Sequence, residues 1–198
     1  DNMAEMLSYA ETQKLLDELG KEQQKLIADI IPTQITVAGL QRVLQSLLTE
    51  RVSIRDLPTI LEGVAEGANS SRNLTLIAEH VRMRLARQIS DQYTNDMGYI
   101  PLLTLSPEWE RDYSEALIGQ GDERQLALAP SKLQQFIRSV RETYERHAQM
   151  GEQPVLLTSP GIRPYVRSII ERFRPMTVVM SQNEIHAKAK IKTLGQIG

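Results

Sequence analysis

The chain has 198 residues, of which 41% are hydrophobic and 24% are charged, and its formal net charge is -2. This composition is typical of one large or two small globular domains, and the charge gives no overall attraction to nucleic acid. The absence of cysteine excludes disulfides, thiolate zinc sites and cysteine nucleophiles. No apolar run is long enough to span a membrane, and the start at Asp1 resembles neither a signal peptide nor an initiator, so we expect a soluble piece of a larger protein.

Two short helices are predicted first. Ser8 and Glu11 have the spacing of a capping box, which predicts a helix that ends at Gly20. A second helix is predicted over residues 21–31, because Pro32 prevents its continuation.

The central stretch, residues 36–68, predicts two amphipathic helices joined by a short charged turn. Apolar residues recur at three- and four-residue steps on both sides of the turn. Thr36 and Asp56 are the predicted N-caps, and Pro58 falls in a first helical turn, where its missing N–H is not needed. Because the turn is short, we expect the two helices to pack together as an αα-corner.

A helix-turn-helix arrangement also suggests a nucleic-acid-binding module. However, the second helix carries Asp56, Glu62 and Glu66 and neither Lys nor Arg, so it would repel phosphate. DNA binding is therefore the less favoured alternative. Asn73 is then predicted to cap a long helix whose inward-facing residues run from Leu74 to Ile89, and residues 1–94 are predicted to form an all-helical subdomain.

The pattern changes after a loop at residues 95–98, where short apolar runs begin to alternate with helices. Strands are predicted at 99–105, 126–128, 154–158, 177–180 and 191–194, and helices from 106, over 131–149 and over 162–173. Pro101 indicates an edge position for the first strand. The predicted fold class is therefore α + α/β, an all-α helical subdomain followed by a small α/β subdomain over residues 95–198.

Ser159 is a candidate nucleophile, because it lies between a predicted strand and a predicted helix. The glycine that precedes the nucleophile in that motif is missing, and we favour Ser159 as an N-cap with Pro160 at the first helical position. A hydrolase-like enzyme therefore stays an alternative without positive support.

The histidines do not suggest a metal or acid–base site. His80, His147 and His186 each lack a second histidine or a carboxylate pair at ligand spacing. Ser181 and Glu184, which precede the last histidine, have the spacing of a capping box. We predict no catalysis, no metal and no cofactor.

The residues 50–62 read ERVSIRDLPTILE, which resembles the cytoplasmic domain of the FlhA family, the export-gate subunit of flagellar type III secretion. The stretches SYAETQKLLDEL at 8–19, IAEHVRMRLARQI at 77–89 and LLTSPGIRPYVRSIIERFRPMTVVMSQNE at 156–184 resemble the same family in the same order. The flagellar members look closer than their virulence-system relatives, which remain the alternative. The family's transmembrane half and first cytoplasmic subdomains are absent from this sequence.

The resemblance implies a non-enzymatic docking platform at the cytoplasmic face of the bacterial inner membrane. It implies self-association into a nonameric ring beneath the gate. The implied partners are export chaperones with their substrates, and the stalk and regulator components of the export ATPase. The family's main hydrophobic chaperone site lies largely in the missing subdomains, so none of its residues carries over.

Two groups of charged residues are candidates for these contacts. The candidates for the ring interface lie in the central turn and the following helix and are Arg51, Arg55, Asp56, Arg84 and Arg87. The candidates for partner docking lie on the last predicted helix and are Arg163, Arg167 and Arg174. Residues 160–198 hold seven Lys or Arg against two Glu, so an acidic partner is expected, with Lys188, Lys190 and Lys192 adding to the charge. A solvated surface is the alternative for both groups.

Overall fold

The computed structural model describes residues 7–198. They form two compact units that divide between Leu85 and Ala86. The first unit consists of helices, and the second contains a mostly parallel sheet with helices. The predicted fold class, all-α followed by α/β, is confirmed.

Four helices of the first unit begin at N-cap residues that the sequence predicts correctly. Its helices are α1 (Tyr9–Asp17), α2 (Lys21–Ile30), α3 (Val37–Thr49), α4 (Leu57–Ser70) and α5 (Leu74–Arg84). The side chains of Ser8, Thr36, Asp56 and Asn73 each accept a hydrogen bond from a backbone N–H in the first turn of α1, α3, α4 and α5, respectively. These bonds satisfy donors that a helix leaves unpaired.

Helix α5 is the element on which α3 and α4 pack, whereas α1 packs on α3 and α2 on α4. The expected αα-corner is wrong in one respect, because α3 and α4 pack mainly on α5 rather than on each other. Two glycines of α4 allow the close approach: a Cβ atom at Gly63 would lie 3.1 Å from Cα of Val81, and one at Gly67 would lie 3.2 Å from Cβ of His80. The two backbones therefore meet where α4 carries no side chain.

The predicted long helix after Asn73 is also wrong. Leu85 has φ -96° and ψ 15°, so α5 ends at Arg84 and a new helix, α6 (Ala86–Tyr93), begins in the second unit. The sequence places the end of the helical subdomain at residue 94, after this helix. In the structure α6 belongs with the sheet, because the hydroxyl of Ser90 donates to the carbonyl of Glu184 at 2.8 Å and accepts from the N–H of His186 at 2.9 Å.

The second unit is a four-stranded parallel sheet with helices packed against it. The elements after α6 are β1 (Ile100–Leu105), α7 (Pro107–Glu115), β2 (Leu117–Ile118), β3 (Gln125–Leu126), α8 (Pro130–Gln149), β4 (Val155–Thr158), α9 (Arg163–Ile170), β5 (Val179–Ser181) and β6 (Ile191–Ile197). The strand order is β5–β4–β1–β6, and β2 and β3 form a separate antiparallel pair. The core centres on Phe136, whose ring contacts Trp109 and Tyr113 edge to face at centroid distances of 5.2 and 5.0 Å.

Pro101 lies in a central strand, which corrects its predicted edge position. The N–H of Ile100 donates to the carbonyl of Lys190 on the β6 side at 2.8 Å. The next backbone nitrogen, that of Pro101, therefore faces β4, whose pairing with β1 begins only at Leu102. The proline thus removes no hydrogen bond from the sheet. Across residues 7–198 we find no helix with the length and hydropathy needed to cross a membrane.

Candidate protein interface

The three arginines predicted to form a docking face are held by the protein's own fold. Arg163 is 1% exposed and Arg167 is 6% exposed, so the predicted exposed basic face is wrong for both residues. Helix α9 buries these side chains because it packs beside the chain that leads into β5. The carbonyl groups of that segment receive the guanidinium donors.

Arg163 forms the centre of a buried polar cluster. Its Nη1 donates to the carbonyl of Val179 at 2.8 Å, and its Nε lies 3.6 Å from Oε2 of Glu184, which is itself 1% exposed. The hydroxyl of Ser181 donates to the same carboxylate oxygen at 3.3 Å. The expected capping box is therefore wrong, because the Ser181 side chain donates to Glu184 instead of capping a helix. The cluster joins α9, the end of β5 and the short turn Gln182–Glu184.

Arg167 and Arg174 secure the turn between α9 and β5. Nη1 of Arg167 donates to the carbonyls of Thr177 and Pro175 at 3.0 and 3.2 Å. Nε of Arg174 donates to the hydroxyl of Thr177 at 2.9 Å, and its guanidinium lies 4.5 Å from the ring centroid of Tyr144. Burial raises the pKa of the Tyr144 phenol, and the nearby charge of Arg174 opposes that rise. All three predicted docking arginines are thus engaged within the second unit.

The central turn begins with an arginine in a backbone conformation that favours glycine. Arg51 has a φ of 61° and is exposed. Its N–H donates to the carbonyl of Leu48, and the N–H of Val52 donates to the carbonyl of Leu47, both at 2.9 Å. These two bonds are those of a Schellman motif, in which glycine is the usual residue at the position of Arg51, and both Val52 and Leu47 are buried. An arginine there is kept at a conformational cost.

Asp56 and Arg55, the other two predicted turn residues, differ in the side-chain contacts that they form. The Asp56 carboxylate accepts from the N–H of Thr59 at 3.3 Å and from its hydroxyl at 2.7 Å, so it caps α4. Arg55 is exposed, and its guanidinium forms no ion pair with residues 7–198. Arg55 is therefore the turn cation that can accept a carboxylate from outside without breaking a contact seen in this part of the chain.

Arg84 belongs to a surface network between α4 and α5. Its guanidinium pairs with Glu62 through a short contact and lies 3.6 Å from Glu66. Glu66 also pairs with Nε2 of His80 at 2.8 Å. The hydrogen bond from His80, followed by the charge of Arg84, lowers the pKa of the Glu66 carboxyl below its ordinary value. These ion pairs connect the exposed surfaces of α4 and α5.

Arg87 lies in the second unit, because the single helix predicted to carry both Arg84 and Arg87 is interrupted at Leu85. It lines a cleft of about 420 Å³ together with Asp91, His186, Lys188 and Lys190. The sequence analysis names Arg87, Lys188 and Lys190 as candidates, but it does not predict that they line one cleft. No local pattern could do so, because α6 and the segment before β6 are far apart along the chain.

The residues considered for chemistry have other contacts. The N–H of Ser159 donates to Oε2 of Glu110 at 3.2 Å, and α9 begins only at Arg163, so the predicted N-cap role of Ser159 is wrong. His147 is buried, and its Nδ1 lies 2.7 Å from Oε1 of Glu152. Within residues 7–198, His, Asp and Glu side chains form no group of three that could hold a metal.

The fold is shared with solved structures that include a cytosolic domain from a type III secretion system. A chain in the structure of the Chlamydia pneumoniae CdsV and CdsO protein complex matches with a TM-score of 0.85 and 29% identity, over 99% of this chain and 57% of that chain. The nonameric EscV cytosolic domain from the type III secretion system matches with a TM-score of 0.81 and 26% identity, over 100% of this chain and 58% of that chain.

The sequence comparison is more specific. The model of the FHIPEP family matches residues 1–190, and the chain therefore belongs to the FHIPEP family. The flagellar biosynthesis protein FlhA of Caulobacter vibrioides is 61% identical over 197 residues, which cover 100% of this chain and 28% of that protein. The chain thus spans little more than a quarter of the relatives it matches, and the resemblance to the FlhA family is confirmed.

Proposed function

We propose that this chain is part of the cytoplasmic portion of a flagellar protein export gate, located at the cytoplasmic face of the inner membrane. The observation that carries this proposal is the 61% identity to the flagellar FlhA of Caulobacter vibrioides along the whole chain. The alternative, an export gate of a virulence system, is less favoured because the EscV cytosolic domain from the type III secretion system matches at 26% identity.

The proposed mode of action is self-association into a ring. The EscV cytosolic domain, which has a similar fold, is nonameric. A closed ring of identical copies needs two different surfaces that complement each other. Arg55 and Arg51 in the central turn support a contribution of this turn to one of them, since both are exposed and Arg51 is retained where glycine would be less strained.

The proposed activity is docking rather than catalysis. The partners are export chaperones with their substrates, and the stalk and regulator components of the export ATPase. The complex of CdsV with CdsO supports binding of other proteins by this fold. In this proposal Ser159 has a structural role and is not a nucleophile, because its backbone N–H donates to the carboxylate of Glu110 on α7.

The ring proposal is tested by Arg55→Glu in the full-length protein. Reversal of this charge places like charges where the neighbouring copy offers a carboxylate, so ring assembly of the cytoplasmic portion and swimming motility should both fall while the melting temperature stays unchanged. The control is Arg138→Glu, an equal charge change at an exposed position of α8. Unaltered assembly and motility would remove the central turn from the interface.

The docking proposal is tested by capture of flagellar chaperones on this chain and on the full cytoplasmic portion. Capture by the full portion is expected, and capture by this chain would place part of the docking surface within it. Failure of both contradicts the docking role. Salt-sensitive retention on duplex DNA would favour the nucleic-acid alternative, and a turnover abolished by Ser159→Ala would favour an enzyme.

A further inference from the structure

An open strand edge and a group of cations lie together in the second unit. β6 pairs with β1 and is the outer strand of the sheet, and Ile191, Lys192 and Thr193 at its start are exposed. Lys188 and Lys190, directly before the strand, line the same cleft as Arg87. The open edge therefore begins at a positively charged cleft.

The backbone of β6 presents hydrogen-bonding groups to solvent. Because the N–H of Ile100 donates to the carbonyl of Lys190 at 2.8 Å, the peptide groups of Lys190 are directed at β1. Ile191 and Thr193 pair in register with Ile100 and Leu102, and in a parallel ladder this places their own N–H and C=O groups on the opposite side. Within residues 7–198 no strand pairs with that side of β6. These groups are available to one more strand.

The cleft carries uncompensated positive charge. Arg87, Lys188 and Lys190 form no ion pair with any residue from 7 to 198. Asp91 is the carboxylate among the residues that line the cleft. Three cations against one carboxylate favour an anionic group from another molecule.

We infer that this edge and cleft bind an extended acidic peptide segment of a partner protein. The main chain of the segment adds as a further strand beside β6 and pairs with the outward groups of Ile191 and Thr193. Its carboxylates, at the end next to the cleft, pair with Lys188 and Lys190. An anionic lipid surface would satisfy the lysines but not the backbone groups of the edge, and for this reason we favour a peptide. The inference rests on the proposed docking function and names a class of partner segment for it.

The test uses the isotope-labelled 198-residue chain and a synthetic peptide of alternating Thr and Glu. A matched peptide is methylated on its amide nitrogens, so it keeps the carboxylates and loses the strand's donors. We expect the first peptide to shift the amide resonances of Ile191 and Thr193, to bind less tightly as salt rises, and to bind at least about tenfold more tightly than the methylated peptide.

Two sets of variants separate charge from strand addition. Lys188→Glu with Lys190→Glu should weaken binding at least about tenfold. Arg111→Glu with Arg172→Glu is the control, because it changes the net charge equally at exposed positions outside the cleft. Thr193→Pro removes an outward donor but none that pairs with β1, so it should weaken binding while leaving the sheet intact.

Equal binding of the two peptides, or equal loss in both double variants, overturns the inference. Binding only to vesicles that contain phosphatidylglycerol would assign the cleft to a lipid surface instead. If neither probe binds, the lysines serve only to keep the strand edges of separate molecules apart. None of these measurements depends on ring assembly, so their failure leaves the ring proposal standing, and failure of Arg55→Glu leaves this site standing.

Discussion

Nε of Arg163 lies 3.6 Å from Oε2 of Glu184, and the two side chains are 2% and 1% exposed. A buried charge that loses its partner is strongly destabilising, because it keeps its desolvation penalty without the compensating attraction. Arg163→Met should therefore lower the free energy of unfolding of the second unit by about 3–5 kcal/mol. Urea unfolding followed by the fluorescence of Trp109, the single tryptophan, measures this unit.

The matched control is Arg172→Met, at an exposed position just after α9, which should change the free energy of unfolding by less than about 0.5 kcal/mol. The double variant Arg163→Met with Glu184→Leu should recover most of the loss, since it removes both charges. A small loss in the single variant would mean that Glu184 finds another partner or water.

The close packing of α4 on α5 predicts the effect of Gly63→Ala. Alanine is favoured over glycine in a helix by about 1 kcal/mol, but its Cβ would lie 3.1 Å from Cα of Val81, so backbone would have to move. We expect the steric effect to win and the first unit to lose about 1 kcal/mol in thermal unfolding followed by circular dichroism. Gly161→Ala, where nothing lies within 4 Å of the new Cβ, should be close to neutral. A stabilised Gly63→Ala would show that the two helices separate easily.

The network around Glu66 predicts a pH dependence. Because its folded-state pKa is lowered, the stabilisation by Glu66 is complete above the unfolded-state pKa and is lost as the pH falls through the lowered value. His80→Ala removes the main cause of that shift and should raise the Glu66 pKa toward its ordinary value in an NMR titration. His186→Ala, in the other unit, is the control. An unchanged Glu66 pKa in His80→Ala would assign the shift to Arg84.

The backbone of Arg51 predicts opposite effects on stability and assembly. Glycine adopts a φ of 61° without strain, so Arg51→Gly should stabilise the first unit by about 0.5–1 kcal/mol. If the arginine side chain is kept for the ring, the same variant should assemble less well. Arg55→Gly, where φ is not positive, should give no gain in stability. A variant at Arg51 that is both more stable and fully able to assemble would contradict a role in the ring.

The sequence predicted what depends on neighbouring residues. Thr36, Asp56 and Asn73 cap their helices because a cap involves only the residue and the turn that follows it. The burial of Arg163 and Arg167 was not predictable in this way, since the carbonyls that receive them belong to Val179 and Thr177, beyond the end of the helix. Helical periodicity places a side chain on a face but does not reveal what covers that face.

The candidate sites show the same division. The turn cations were identified from sequence because they are adjacent in the chain, whereas the cleft joins Arg87 to Lys188 and Lys190 through the tertiary fold. The sequence does not predict the break at Leu85, because the break interrupts a continuous amphipathic pattern without proline or glycine. The sequence also does not predict that Pro101 lies in a central strand, because the offset between the starts of the two pairings of β1 has no signature in sequence.

The strand order has a consequence for how the protein is made. β1 lies between β4 and β6, and Ile100 pairs with Ile191. The sheet therefore cannot be completed until the last strand of the second unit has been synthesised. Pairings between distant segments raise the contact order and slow folding. The helical first unit has no such dependence and can fold while the ribosome is still producing the sheet. Until β6 emerges, the backbone N–H and C=O groups along one edge of this largely apolar strand are unpaired, and this is the interval in which the nascent chain is most open to aggregation or to protection by a chaperone.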